Sequence, residues 1–410
     1  MASPLEAAKL SETAFAIRPL PEIVFRAGAV GDTPGRARQM GGRRVLIVTD
    51  PGVASAGLAD QLQSLLEGDG LSVSVFDGVE ANPTLSNVDS GTEAAGDTDG
   101  LVIVALGGGS SMDCAKAIAM DAVNEGPIRD YCIAASVGET GTIDPTSAAP
   151  REMPTSAVPL IAIPTTSGTA SETNGSGVLT DESENRKIFI SNPLVRPAVS
   201  LLDPELTLGL PAYPTATCGM DALTHAIEAF TSSRVTPYSD AVALQAIRLV
   251  GEWLPAAIDD GSNLEARSQL LFGSHLAGIA FGTAGLGMCH ALGHPLSAVL
   301  HQAHGQTLTT MLPHVMGFNM PERTNRYAAV AEALGAADAA ADADANAQAA
   351  IGAVEALAER VGIARSISEM GGTSDHLPEL VGQAMSDVTM LANPRPATAD
   401  DVRSLYLAAF

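Results

Sequence analysis

Three segments of the chain, RRVLIVTD (43–50), GLVIVALGGGS (100–110) and PLIAIPTTSG (159–168), each contain a nearly unbroken apolar run that ends in turn or hydroxyl residues. A strand that is apolar on both faces has to be covered on both faces, which happens when helices sandwich a parallel sheet. The residues between these segments supply the helices. GLADQLQSLLEGDG (57–70) reads as an amphipathic helix stopped by glycine, TLSNVDSGTEAAGDTDG (84–100) as a polar helix, and MDCAKAIAMDAVNE (112–125) as another. LSVSVFDGV (71–79), KIFIS (187–191) and AVSLLDP (198–204) add further strands. The spacing predicts an α/β domain with a Rossmann-like parallel sheet.

The strand signals then stop. From about Pro211 the pattern is helical, through ATCGMDALTHAIEAF (216–230) and onward to RSLYLAAF at the end of the chain. The expected organisation is an N-terminal α/β nucleotide-binding domain over 1–206 and an all-helical metal-binding and catalytic domain over 207–410. Between Pro127 and Pro159 the chain is rich in Ser, Thr, Pro and Gly and reads as an excursion over the surface. GAADAAADADANAQAA (335–350) reads as an exposed alanine-rich helix or loop.

Composition removes several function classes. The 410 residues carry a formal charge of −25, which argues against a nucleic acid or an anionic membrane surface as partner. No apolar stretch is read as reaching the ~18–20 residues of a membrane span, and MASPLEAAKLSETAF lacks a signal pattern, so a cytoplasmic location is expected. The four cysteines show no CxxC spacing, so neither a thiolate zinc site nor a disulfide framework is indicated.

Two loops suit a nucleotide. Gly107, Gly108 and Gly109 stand between a buried strand and a helix, where glycine allows close backbone approach and the helix N-terminus favours an anion. The same glycines could serve turn geometry alone, and they do not form the GxGxxG fingerprint. IAIPTTSGTASE (161–172) places five hydroxyl side chains between Thr165 and Ser171, beyond the end of another strand, where ligands of open α/β sheets bind. Asp50 closes an earlier strand. It could take ribose hydroxyls, or it could cap the turn at Pro51–Gly52.

Half of the chain's eight histidines fall in MCHALGHPLSAVLHQAHG (288–305). Asp221 and His225 lie four apart on an apolar helix, as do His290 and His294, so each pair shares a helical face. His304 lies 14 residues beyond His290, ~21 Å along one straight helix, too far for two ligands of one ion. The chain must therefore reverse between them, with Pro295 and the weak helix break at HQAHG as the candidates. Asp221, His225, His290 and His304 could then converge as one carboxylate and three imidazoles, a set that suits Fe²⁺ or Zn²⁺. A chance cluster on a helix surface is the competing reading.

These motifs in this order resemble the iron-containing, group III, alcohol dehydrogenases nearly end to end. ALGGGSSMDCAKA and PTTSGTASE look like that family's pyrophosphate and threonine-rich loops. TATCGMDALTHAIEAF and GLGMCHALGHPLSAVLHQAHG look like its two metal segments, and ANPRPATADDVRSLYLAAF like its C-terminus. The resemblance implies that Asp221, His225, His290 and His304 bind the metal, and that His294 acts beside the nicotinamide and substrate. It implies that Gly108, Gly109, Ser110, Asp113, Thr165, Thr166, Thr169 and Lys187 hold the cofactor, together with Asn82. Asp50 falls where NAD-preferring members carry Asp, which makes NAD the expected cofactor and NADP the alternative. Phe281 and Asn174 are assigned to the substrate pocket, although Phe281 also reads as plain core.

The implied activity is hydride transfer between a small alcohol or aldehyde and NAD(H), in a homodimer or higher homo-oligomer. A metal- and NAD-dependent lyase of the dehydroquinate-synthase type is the rival, but its acidic substrates call for clustered basic residues and this chain has only Lys9, Lys116 and Lys187 as lysines. A non-catalytic metal or nucleotide sensor is a third reading. Three departures from the family pattern stand out: Ala303 where the last ligand is usually preceded by Pro, and Ser297 and Ala170 where Gly is usual.

Overall fold

The computed structural model describes residues 15–17, 19–133, 150–184 and 186–410. They divide into two compact units that meet in sequence at Leu210 and Pro211, against the expected 206/207, and the described residues before Leu20 group with the second unit rather than the first. The four extra residues belong with the first unit for a physical reason. The Asp203 carboxylate accepts from the backbone N–H groups of Gly28 and Val30 and also caps the short turn Pro204–Thr207, which ties this segment to the start of the chain.

The first unit is built on a six-stranded, wholly parallel sheet. Its strands are β1 (Glu22–Phe25), β2 (Arg44–Val48), β3 (Ser72–Phe76), β4 (Leu101–Gly107), β5 (Leu160–Pro164) and β8 (Val199–Leu202), in the order β1-β8-β5-β4-β2-β3. Two further strands, β6 (Ser176–Asp181) and β7 (Arg186–Ser191), form a separate antiparallel hairpin.

All seven residues of β4 are buried, and they alternate between two cores. Val102, Val104 and Leu106 join one, while Leu101, Ile103 and Ala105 join the other. Leu46 and Val48 likewise separate from Val45 and Ile47. A period of two on a doubly covered sheet accounts for the unbroken apolar runs of the sequence. Without β1, the strands run in the doubly wound order 2-1-3-4-5 rather than 3-2-1-4-5-6, which puts the switch point between β2 and β4. A ligand of such a sheet belongs at the carboxyl ends of those strands, where Asp50 and Gly107–Gly109 sit.

Residues 134–149 of the expected surface excursion lie outside the described residues. At its start, however, Ile128, Tyr131 and Cys132 are buried in a core, a correction to that expectation.

The second unit is helical. Its long helices are Ala212–Thr231, Pro237–Asp259, Leu264–Ala284, Met288–Leu300, His304–Ala333 and Ala343–Arg360, the fifth kinked at Arg323. Pro237–Asp259 is, by length and composition, apolar enough to cross a membrane, contrary to the reading of the sequence. Here its Ala243, Ala246, Ile247, Val250 and Leu254 are buried in the helical core. The alanine-rich stretch also differs from expectation. It is open turn up to Asp342, which caps the next helix, and beyond it Ala347 and Ala350 are fully buried, since small side chains let helices approach closely.

With 47 acidic residues against 22 basic ones, most surface carboxylates have no cation to pair with. Their mutual repulsion opposes the compact state and is screened as salt shortens the Debye length from ~8 Å at 0.15 M to ~3 Å at 1 M. The melting temperature should therefore rise by ~5 °C or more between 0.05 and 1 M KCl. A flat or falling calorimetric Tm would refute this.

Candidate metal and nucleotide sites

The helix Ala212–Thr231 carries Asp221, His225 and Glu228 at intervals of four and three, so the three side chains stack along one buried face. The facing residues come from the 288–305 segment, and the reversal required by its histidine spacing occurs at 301–303. His301 there adopts the left-handed conformation, φ 51° and ψ 37°, which ends the helix Met288–Leu300. His304 is the first residue of the next helix. Pro295, the other candidate for the break, lies inside the first helix without interrupting it. Ser297, at a position where the resembling family usually has Gly, donates through Oγ to the Gln302 carbonyl at 2.8 Å and ties the reversal to its own helix.

Ligand atoms of Asp221, His290 and His304 all fall within 4.8 Å of one another. Nε2 of His290 and Nε2 of His304 each lie 3.8 Å from Asp221 Oδ1, and Nε2 of His225 lies 3.4 Å from it. The His225 and His290 rings stack at 4.7 Å, and the Phe281 ring lies 4.6 Å from that of His225. His225, an expected ligand, and His294, which stacks on His304 at 5.2 Å, both fall outside the group of three.

Asp221 Oδ1 and His290 Nε2 are buried and have no hydrogen-bond partner. Polar atoms in such a position are costly unless something binds them. Burial, with Glu228 adding to it, pushes the Asp221 carboxyl up to about 8, and burial pushes Glu228 up to about 7. Burial also holds His290 well below the ordinary histidine range, in the neutral form that can ligate. A divalent cation would offset both carboxylate shifts and engage both orphaned atoms, so this donor set fits a metal ion.

Two residues that the sequence reading missed complete the arrangement. Glu228 Oε2 lies 2.5 Å from His290 Nδ1, and its Oε1 accepts from the Cys289 N–H at 2.6 Å. The His290 proton is thereby kept on Nδ1 and Nε2 presents a lone pair. Asp387 Oδ2 lies 2.6 Å from His294 Nδ1. Burial alone would raise Asp387, but His294 and Thr389 outweigh it and hold the carboxyl below its ordinary range. Glu228 could have been found from its spacing, seven residues after Asp221 on the same helix face. Asp387 sits in a segment with no motif.

An amide at position 228 has one acceptor oxygen and cannot serve both Cys289 N–H and His290 Nδ1–H. Glu228→Gln should therefore weaken metal binding ~10–100-fold, read by competition with a chelator. Unchanged affinity would remove Glu228 from the site.

In the first unit, the assigned cofactor residues gather around the ends of β2, β4 and β5. Gly107 has φ 152°, and a Cβ there would come within 2.4 Å of Ser111 Oγ, so only glycine fits. A Cβ on Gly108 would touch Thr166, and one on Gly109 would come within 2.5 Å of Thr169, so the two loops lie against each other. Thr165 is buried and its N–H donates to the Gly107 carbonyl at 3.0 Å. No side chain caps the helix Gly109–Asp121, which leaves its N-terminal N–H groups for a ligand.

Asp50 does cap the short helix Pro51–Ser55, accepting from Gly52 and Val53, and its other oxygen accepts from Ser111 Oγ at 3.0 Å. Lys187 donates to Asn82 Oδ1 at 2.7 Å and to Thr180 Oγ1 at 3.0 Å, and burial pushes its amine down to about 8. Ser110 Oγ donates to the Ala81 carbonyl, next to Asn82. Asp113 accepts from the Ser171 hydroxyl and the Val178 N–H. Asn174 Oδ1 closes a turn on the Ser176 N–H.

Residues 21–204 match the family described as iron-containing alcohol dehydrogenase, and residues 215–410 match the C-terminal part of the Fe-containing alcohol dehydrogenase family. The NAD-dependent methanol dehydrogenase of Bacillus methanolicus is 36% identical over 385 residues, covering 94% of this chain and 97% of its own. The 1,3-propanediol dehydrogenase of Citrobacter freundii is 36% identical over 388 residues, covering 94% and 96%. A crystal structure of a 1,3-propanediol oxidoreductase superposes with a TM-score of 0.89 at 34% identity, covering 97% of this chain and all of that one. The chain belongs to the iron-containing alcohol dehydrogenase family, whose membership makes it an oxidoreductase of the CH–OH group and implies NAD(H) and a metal ion.

Proposed function

We propose that this protein interconverts a small alcohol and its aldehyde with NAD(H), using one divalent ion held by Asp221, His225, His290 and His304. The observation that carries this reading is the convergence of Asp221, His290 and His304, with two buried polar atoms left for a cation. Fe²⁺ is the proposed ion and Zn²⁺ the alternative, since a set of imidazoles and one carboxylate accepts either. The cofactor is assigned to Gly108, Gly109, Ser110, Thr165, Thr166 and Thr169, with Asn82 and Lys187 beside them and Asp113 supporting from behind. Phe281, whose ring lies 4.6 Å from that of His225, is assigned to the substrate pocket, and Asn174 with it. A homodimer or higher homo-oligomer in the cytoplasm is the proposed state.

When bound, the ion supplies a Lewis acid for the substrate oxygen and the nicotinamide supplies the hydride acceptor or donor. The remaining work belongs to side chains. Glu228 keeps the His290 ring oriented with Nε2 free. Asp387 orients the His294 ring through Nδ1, and this imidazole is assigned to carry a proton between substrate oxygen and solvent. The experiment is a screen of short alcohols and aldehydes on metal-reconstituted protein, following NADH at 340 nm. Absence of net NADH with every alcohol, alongside turnover without redox change, would favour the lyase reading.

Asp50 sets the expected cofactor choice. Its carboxylate already accepts from three donors and has room for one more, which a ribose hydroxyl can take and a 2′-phosphate cannot. NAD(H) should be preferred over NADP(H). Asp50→Asn keeps an acceptor for the turn while removing the charge, and should narrow the ratio of kcat/KM values ~10-fold. Equal efficiency with both cofactors in the wild type would overturn the assignment.

A further inference from the structure

Lys116 is the largest charged side chain buried without exposure in the chain's described residues, and neither the metal nor the proposed proton path uses it. It projects from the second turn of the helix that follows the glycine loop. Its Nζ donates to the Ser171 carbonyl at 2.7 Å, to Ser171 Oγ and to the Ser176 carbonyl. Three acceptors around one nitrogen call for three N–H groups, which the ammonium has and the neutral amine lacks. Asp113, one turn earlier, stands 3.7 Å from Nζ and supplies the compensating charge. The same carboxylate accepts from Ser171 Oγ through Oδ1 and from the Val178 N–H through Oδ2. Burial pushes Lys116 down and Asp113 up, so this pair is costly to keep and its geometry has to offset that cost.

The residue immediately before Ser171 explains where the offset goes. Ala170 sits at φ 52° and ψ 29°, a left-handed conformation that a residue with a Cβ rarely adopts. It joins Ser171, which the clamp grips through both its carbonyl and its hydroxyl, to Thr169, whose side chain lies against Gly109. We propose that Lys116 and Asp113 act as positioning residues that hold Ala170 in this conformation, so that the hydroxyl loop Thr165–Thr169 keeps the shape that receives the dinucleotide. Lys116 touches no ligand in this scheme. It acts through Ser171. The proposal rests on the assignment of the dinucleotide to this loop.

It is tested by titrating NADH into metal-loaded protein and following its fluorescence, with metal content and Tm measured on the same preparations. Wild-type protein must bind NADH; if it does not, the functional assignment fails before the clamp is tested. Lys116→Met should raise the NADH dissociation constant at least 10-fold with metal content unchanged, and KM for NAD should rise more than kcat falls. Adding Ala170→Gly to Lys116→Met should recover a large part of that loss, because glycine adopts the left-handed conformation without being held. Should Lys116→Met fail to fold, Ser171→Ala removes the hydroxyl bridge alone and should show the same change in smaller measure, with the same rescue. Wild-type affinity in a folded Lys116→Met or Ser171→Ala protein would overturn the proposal, as would a loss of affinity that Ala170→Gly leaves untouched.

Discussion

His290→Ala is expected to leave a folded protein that retains almost no metal after dialysis and turns over at least ~10³-fold more slowly, since a bound Lewis acid is worth several kcal/mol to such a reaction. The side chain is 1% exposed, with Nε2 3.8 Å from Asp221 Oδ1, so its removal takes a buried donor out of the converging group. Its removal also leaves Glu228 buried without its imidazole, and a drop in Tm is expected alongside the loss of metal. His275→Ala separates the two effects. His275 is also a buried histidine of the helical unit but lies outside the cluster, so its variant should lose stability and keep its metal. Metal analysis showing full occupancy in His290→Ala would overturn the assigned ligand set.

The second large effect belongs to His294, which shares a helical face with His290 and reads on spacing alone as one more ligand. Its Nδ1 is taken by Asp387, and its ring packs on His304 without joining the group of converging ligand atoms of Asp221, His290 and His304. The four protein ligands proposed would already make a full tetrahedral set, and a catalytic ion must also admit substrate. His294→Ala should therefore hold near-stoichiometric metal while kcat falls ~10²–10⁴-fold, the usual worth of a positioned acid–base group. Metal content and kcat have to be read on the same preparation. Metal loss like that of His290→Ala would make His294 a ligand, and unchanged turnover would leave it without a part in the reaction.

The difference between these two histidines shows what the sequence conveys about the site. Side chains that share a helical face are announced by spacing, so Asp221 with His225 and His290 with His294 could be paired from the sequence, and the 14-residue interval to His304 required a reversal. Of the two candidates for that reversal, Pro295 is accommodated within the helix and the chain turns at the weak break HQAHG, on His301. Partners brought in by tertiary packing leave no local trace: Asp387 reaches His294 across 93 residues of sequence. Nothing near Lys116 in sequence foretold Ser171, 55 residues on.

The fold divides in the same way. Strands buried on both faces, such as β4 and β5, are legible because hydrophobic burial is written in every residue. β1 (EIVF) and β6 (SGVLTD) escaped, being partly exposed and dependent on neighbours for their conformation.

β1 also dictates when the first unit can be finished. Among the described residues its only partner in the sheet is β8, with Glu22 opposite Val199 and Phe25 opposite Leu202, and the neighbouring Gly28 and Val30 wait for the Asp203 carboxylate. A ribosome adding ~5–20 residues per second needs roughly 10–35 s to travel that interval. During that time the first strand to emerge has nothing to pair with, while β2, β3, β4 and β5 can already assemble. The nascent chain thus carries an unmated edge segment until its α/β half is almost complete, and a chain released before residue 199 would retain most of its sheet yet leave its own beginning adrift.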